Sequence, residues 1–332
     1  MATTNISKLA VALVVAISIA RPAWVDEPAG IPDGVPSLPG KVYTTSWFAG
    51  QIGVVDTETW KVAKTIKVGV HNHNVNISPD RKTAWVTNNN DGTVSVIDTG
   101  TDEVVKTIRV GKGPRHTYFS PDGAEAYITN EFDGTISVVD AQEGKEVAVL
   151  STFGMPHFAL VVGDKLFVTN FGNDHTCVFS RKDRKKDLCL IVGDGGLGAN
   201  ATKDGKLVVV ACHLSNHVAV IDTESLKVVA KISTDPGPVQ VTVTPNQKYA
   251  YVTNDGVGTV QKIDLATFQI VKTISIGEGA GSHGISFAAD GDLLLVTNMG
   301  TSTLSIIDTK SDMVIHTVRV PTAPEGVAFL KK

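Results

Sequence analysis

The chain has 332 residues, 42% of them hydrophobic, and its 30 lysines and arginines against 34 aspartates and glutamates give a net charge of −4. Aromatic residues make up 6%, so the composition lacks the basic footprint of a nucleic-acid-binding protein. No apolar run reaches the roughly 20 residues needed to cross a bilayer as a helix.

Residues 1–23 read as an export signal. Lys8 supplies a positive charge, 9–20 form an apolar run of 12, and small residues follow, with Ala20 or Ala23 preceding the cut. Residues 24–40 read as a leader with prolines at 28, 32, 36 and 39. The expected location is therefore secreted or periplasmic, with no membrane span in the mature chain. Residues 41–332 read as one domain and the chain as a monomer.

From residue 41 onward one unit repeats. Asp-Gly-Thr-Val-Ser-Val-Ile-Asp (91–98) recurs as Asp-Gly-Thr-Ile-Ser-Val-Val-Asp (133–140) and His-Val-Ala-Val-Ile-Asp (217–222). The closing aspartates are Asp56, Asp98, Asp140, Asp222, Asp264 and Asp308, with Arg181 in the remaining place, spaced by 41 to 44 residues. That period is the length of a four-stranded propeller blade. Within 113–150 the alternation predicts strands over 115–119, up to 130, 135–140 and 146–150, separated by Gly, Pro, Asn and Asp turns. A closing Asp is expected to accept hydrogen bonds from the turn that follows it.

Complete units begin near residues 71, 113, 154, 196, 237 and 281. Three strands remain at 41–68, and 324–330 matches only a first strand. The two ends together complete a seventh blade, which removes the exposed edges of a linear array. The fold class is all-β: a seven-bladed propeller of four-stranded antiparallel blades, closed by N- and C-terminal strands in one blade.

The stretches Trp-Val-Thr-Asn (85–88), Tyr-Ile-Thr-Asn (127–130), Phe-Val-Thr-Asn (167–170) and Tyr-Val-Thr-Asn (251–254) resemble the YVTN family of β-propellers, of the YncE-like, seven-bladed kind. The resemblance covers residues 41–330. It implies the fold; for function it implies binding proteins, surface-layer proteins or relatives of lactonases, among which fold does not choose.

Three cysteines accompany this pattern. Cys177 and Cys189 fall on neighbouring strands about equally far from their turn, where a cross-strand bridge or two buried small residues fit equally well. The basic run 181–186 lies at a hairpin tip and reads as a solvated turn. Gly193 to Gly198 fits G-x-G-x-x-G but leads into a strand, so it offers no helix N-terminus to a pyrophosphate.

Eight of the nine histidines fall in connections that open onto one face of the ring, here called the top. Aligning first strands on their turns places His73, Arg115, Pro156, Leu197, Val239, His283 and Glu325 in one column, and Asn74, His116, His157, Gly198, Gln240, Gly284 and Gly326 in the next. His73, His116, His157 and His283 are thus expected at the axial rim as ligands of a transition metal, copper favoured, or zinc. His71, His213, His217 and Cys212 are expected as accessory ligands, with Met155 and Met299 also facing the top. Imidazole with thiolate or thioether is a donor set suited to copper; imidazole alone also suits zinc, nickel or iron. Arg115, Glu325 and Gln240 are the candidates for holding a polar ligand or cofactor. The alternatives are a scaffold for an envelope protein or polymer without metal, and a lactonase- or lyase-like enzyme working in the funnel.

Overall fold

A computed structural model describes residues 34–332 apart from 153; the expected export signal and most of the leader lie outside the described residues. The 28 strands form seven four-stranded antiparallel sheets, and the closing sheet has the order β28 (Val327–Lys331), β1 (Gly40–Thr44), β2 (Gln51–Asp56), β3 (Lys61–Lys67). The ring is therefore closed by both ends of the chain, as the repeat count requires. One complete blade consists of β8 (Pro114–Phe119), β9 (Glu125–Asn130), β10 (Thr135–Asp140) and β11 (Lys145–Ser151), within a residue of the expected boundaries.

The core lies between blades. Tyr127 and Ile136 of one blade pack with Ala159, Leu166 and Val168 of the next, and each buried aliphatic side chain of this kind contributes roughly 1.5–3 kcal/mol. The closing aspartates do what their position suggests: Asp98 Oδ1 accepts from the Gly100 and Thr101 N–H groups at 2.9 Å, and Asp264 repeats the pattern with Ala266 and Thr267. The described end of the leader is also docked, with Val35 buried and the Trp60 indole donating to the Pro36 carbonyl at 2.9 Å. Cys177 and Cys189 sit directly opposite each other on the third and fourth strands of their blade and form a disulfide.

Two features of the repeat aim side chains at the axis. First, β8 pairs with β9 through Pro114↔Asn130 and then Thr117↔Ile128, so Arg115 and His116 occupy a bulge. The same bulge recurs in β4 (Asn72–Ile77), β12 (Pro156–Val162) and β24 (Ser282–Ala288), holding His73, His157 and His283 respectively. A bulge adds a residue, bends the strand and redirects its side chains, so both bulge positions of a blade reach the centre.

Second, the threonine of the Val-Thr-Asn motif stitches the ring. Thr129 Oγ1 accepts from the His116 N–H freed by the bulge and donates to the His157 carbonyl of the next blade. Thr87 Oγ1 links Asn74 N–H to Arg115 O in the same way, and Thr297 Oγ1 links Gly284 N–H to Glu325 O. Each such hydroxyl ties the first strand of its own blade to that of the next. The motif asparagine fastens its own blade, with Asn88 Nδ2 donating to Thr93 and Ser95.

Candidate metal centre at the axial rim

The bulges bring four histidine rings together at the axis. The His73 ring centroid lies 4.9 Å from His116, 5.3 Å from His157 and 5.8 Å from His283, and His116 lies 4.9 Å from His157. Two candidate ligand sets result, His73 with His116 and His157, and His73 with His283 and Glu325; within each set the donor atoms are all within 4.8 Å of one another. His73 belongs to both. His73, His116, His157 and Glu325 are buried, whereas His283 is partly exposed.

The electrostatics favour neutral ligands. Burial holds the His73, His116 and His157 imidazoles well below their ordinary range, and the neighbouring rings and the Arg115 guanidinium add to the effect. Burial likewise lowers His283 to about 4, partly opposed by a hydrogen bond at the Glu325 backbone. Burial pushes the Glu325 carboxyl up to about 8 against the opposing pull of Arg115. Unprotonated imidazoles are the form that binds a metal ion.

Hydrogen bonding narrows the tautomers. His73 Nδ1 donates to the Arg115 carbonyl at 3.2 Å, which leaves Nε2 as a lone pair, 3.6 Å from Glu325 Oε2. A ligating histidine is normally oriented by such a contact through its other nitrogen. Gln240 reaches His116 from across the axis, its amide lying 3.2 Å from Nε2. With the amide nitrogen donating, the ring proton is forced onto a buried Nδ1 that has no acceptor. With the amide turned over, Oε1 accepts from Nε2–H and Nδ1 offers a lone pair instead.

Four buried polar atoms of the cluster have no hydrogen-bond partner: Nδ1 of His116, His157 and His283, and Oε2 of Glu325. An unsatisfied buried polar atom costs roughly 1–3 kcal/mol. They belong to the two ligand sets that share His73, and a bound cation would give such atoms a partner.

Below the cluster an axial cavity of about 280 Å³ runs along the first strands, lined by Asn74, Asn76, Asn200, Gln240, Tyr118 and Phe158 among others. Above it, Arg115 is paired with buried Glu131 and lies 5.4 Å over the Trp47 ring.

The remaining expected site residues are placed differently. His71 stacks on Trp47 at 4.8 Å, beside the cluster but outside both ligand sets. His213 faces Asp255, with 4.0 Å between Nδ1 and Oδ1. The His217 ring is held by the Val192 carbonyl at 2.8 Å. Cys212 is buried in an interblade apolar cluster where burial pushes its thiol up to about 12, so it is not a thiolate at neutral pH. Met155 lies against Gly172 in the outer connections.

His157, not Pro156, occupies the first bulge position of its blade. Pro156 pairs with Asn170 as Pro114 pairs with Asn130, so His157 shares a column with Arg115 and His73, and Phe158 shares one with His116. The hairpin after β12 is shorter than the Ser-Pro-Asp-Gly turns, leaving only Gly163 and Asp164 between β12 and β13 (Lys165–Asn170). Counting back from the turn therefore slips by one. Trp47 and Glu131 frame the mouth and were not anticipated; both directly follow the position of the motif asparagine, and that column carried no periodic signal.

Fold and site together define a closed seven-bladed propeller whose axis ends in a buried imidazole and carboxyl cluster. The family model described as "Lactonase, 7-bladed beta-propeller" matches residues 48–228, more than half of the chain. The chain belongs to that family. The uncharacterized protein YncE of Salmonella typhi is 26% identical over 156 residues, covering 46% of this chain and 43% of YncE, and YncE of Salmonella typhimurium matches equally. The matched stretch thus spans under half the length of these relatives.

Among solved structures, Kuenenia stuttgartiensis hydrazine synthase superposes with a TM-score of 0.71 at 19% identity, covering 79% of this chain and 95% of that one. A functionally unknown protein from Desulfotomaculum acetoxidans gives a TM-score of 0.78 at 16% identity, with 88% and 99% covered. Dihydro-heme d1 dehydrogenase NirN in complex with DHE gives 0.69 at 15%, with 93% and 82% covered. At these identities the likeness concerns the fold alone. Among the described residues no helix is long and apolar enough to cross a membrane.

Proposed function

We propose that the protein is an exported metal-binding propeller holding one transition-metal ion at the axial rim. His73, His116 and His157 serve as the principal ligands, with His283 and Glu325 within reach of the same His73. The observation that carries this reading is the convergence of buried, neutral imidazoles with unpaired nitrogens on one point. Copper is the favoured ion, because a set of neutral imidazoles binds it more tightly than other first-row divalent ions; zinc, which imidazole also suits, is the alternative. His71, His213, His217 and Cys212 lie outside both ligand sets. Export is supported by the character of residues 1–23 and by the Cys177–Cys189 disulfide, since such bonds persist in oxidising compartments. Elemental analysis of purified protein, repeated on a variant with His116 and His157 changed to alanine, tests the site. About one equivalent in the wild type and none in the variant is the expected result.

Family membership and the axial cavity favour a second reading, in which the cavity accepts a lactone and the rim polarises it for hydrolysis. It differs from simple metal capture in one readout. Lactone turnover by the chelated protein would support an enzyme independent of metal, and absence of turnover in both forms would remove the enzymatic reading.

A further inference from the structure

One position of the repeat is polar where packing would accept an apolar side chain. Asn76, Tyr118, Asn200, Thr242 and Ser286 line the axial cavity beneath the histidine cluster. They are equivalent residues of five first strands, pairing with Trp85, Tyr127, Val209, Tyr251 and Leu295 of the second strands. The equivalents in the other two blades are Leu160 and Ala328. An apolar residue thus satisfies the fold here, and strand pairing gives no reason for polar ones.

Most of these groups bond to nothing within the protein. The Asn200 carboxamide, the Thr242 hydroxyl and the Tyr118 phenol have no hydrogen-bond partner among the described residues. Asn76 is anchored through Nδ2, which donates to the Thr117 carbonyl at 3.0 Å, and its Oδ1 is left free. Below the roof of His73, His116, His283 and Glu325 the wall carries no charged side chain. Burial raises the Tyr118 phenol above its ordinary value of 10.0, so it stays a neutral donor. The mouth residues Trp47, Arg115 and Glu131 do not line the cavity, whereas Ile77 and Phe329 do, so it opens toward the lower face.

We propose that the axial cavity binds a neutral, polyhydroxylated molecule of monosaccharide size, hydrogen-bonded by Asn76, Tyr118, Asn200 and Thr242. A hydrocarbon would leave these donors and acceptors unpaired. A charged occupant would lose its hydration without meeting a counter-charge. Carboxamides and hydroxyls both donate and accept, which suits ligand hydroxyls in either role. Phe158 and Phe329 supply apolar surface for the carbon skeleton. The volume of about 280 Å³ falls just under the roughly 300–1,000 Å³ of sites for drug-sized molecules, so the occupant is smaller than those. None of the four binding residues is a proposed metal ligand, so this reading does not rest on the metal centre.

Isothermal titration calorimetry of the full chain with glucose, galactose, arabinose and sorbitol, beside the charged analogues glucuronate and glucosamine, tests the proposal. At least one neutral compound should bind at a single site per chain, and the charged analogues roughly tenfold or more weakly. Tyr118→Phe and Asn200→Leu remove polar atoms that bond nothing in the protein, so each variant should keep at least the wild-type thermal midpoint and the same metal content. Affinity for the neutral ligand should fall roughly tenfold in each and further in the pair. Thr242→Val takes the place of either variant that fails to fold. Absence of binding by every neutral compound, equal binding of the charged analogues, or unchanged affinity in the paired variant would overturn the proposal. So would affinity lost only together with metal, because the metal centre would then hold the ligand.

Discussion

The Nδ1 atom of His73 lies 3.2 Å from the backbone carbonyl of Arg115, in the neighbouring blade. That carbonyl also accepts from Thr87 Oγ1 at 2.7 Å. One structural hydroxyl and one candidate-ligand imidazole are therefore held by the same atom, and the repeat's framework sets the direction of His73 Nε2. His73→Ala should remove metal from both candidate ligand sets. His283→Ala should weaken affinity while leaving a stoichiometric site, since the set of His73, His116 and His157 stays intact. Competition titration with a chromophoric chelator distinguishes the two outcomes.

The interblade hydroxyls should matter more to stability than a conservative replacement of a buried threonine suggests. Thr129→Val keeps the side-chain shape but leaves the His116 N–H and the His157 carbonyl without their partner, both in the interior. The expected loss is roughly 1–3 kcal/mol, read as a lower denaturant midpoint with an unchanged slope. Metal affinity should fall as well, because the two strands it joins both carry proposed ligands. An unaltered midpoint would show that the bulge satisfies itself in another way.

Acid should weaken the ring through its turn aspartates. Hydrogen bonds from turn hydroxyls and backbone N–H groups hold Asp98, Asp122, Asp222 and Asp264 below their ordinary value of 3.8. A carboxyl depressed in the native state stabilises the fold fully above its unfolded value, and that contribution is lost as pH falls through the native value. The thermal midpoint should therefore change little on account of these groups above about pH 5 and drop below about pH 4. Replacing Asp98 and Asp264 by alanine should lower the midpoint at neutral pH and flatten the acid slope.

Thiol counting checks the blade with the disulfide. Unfolded without reductant, the chain should titrate one thiol, that of Cys212; with reductant it should titrate three. Native protein should react slowly, because Cys212 is buried and its thiol is raised to about 12. Cys177→Ser with Cys189→Ser should cost up to about 3 kcal/mol on the chain-entropy account.

The ring was legible in the sequence because its signals are periodic. The closing aspartates fix the period, the Val-Thr-Asn stretches fix the second strands, and the unmatched three and one strands at the ends force closure. The axial histidines were legible as a group, since each enters a first strand from a top connection. Their exact alignment was not, because bulges leave no compositional mark and the short Gly163-Asp164 hairpin shifted the count at His157. His217 and Cys212 share the top face with the cluster, but whether a side chain turns toward the axis or packs between blades depends on sheet geometry.

The most direct measurement is the metal content of the protein after purification without chelators and reloading with copper or zinc. It should be made beside the variant carrying His116→Ala and His157→Ala. About one tightly held equivalent per chain is expected in the wild type, and its loss in a variant that remains folded. Sub-stoichiometric metal in both, or equal metal in both, would contradict a metal centre held by His73, His116 and His157.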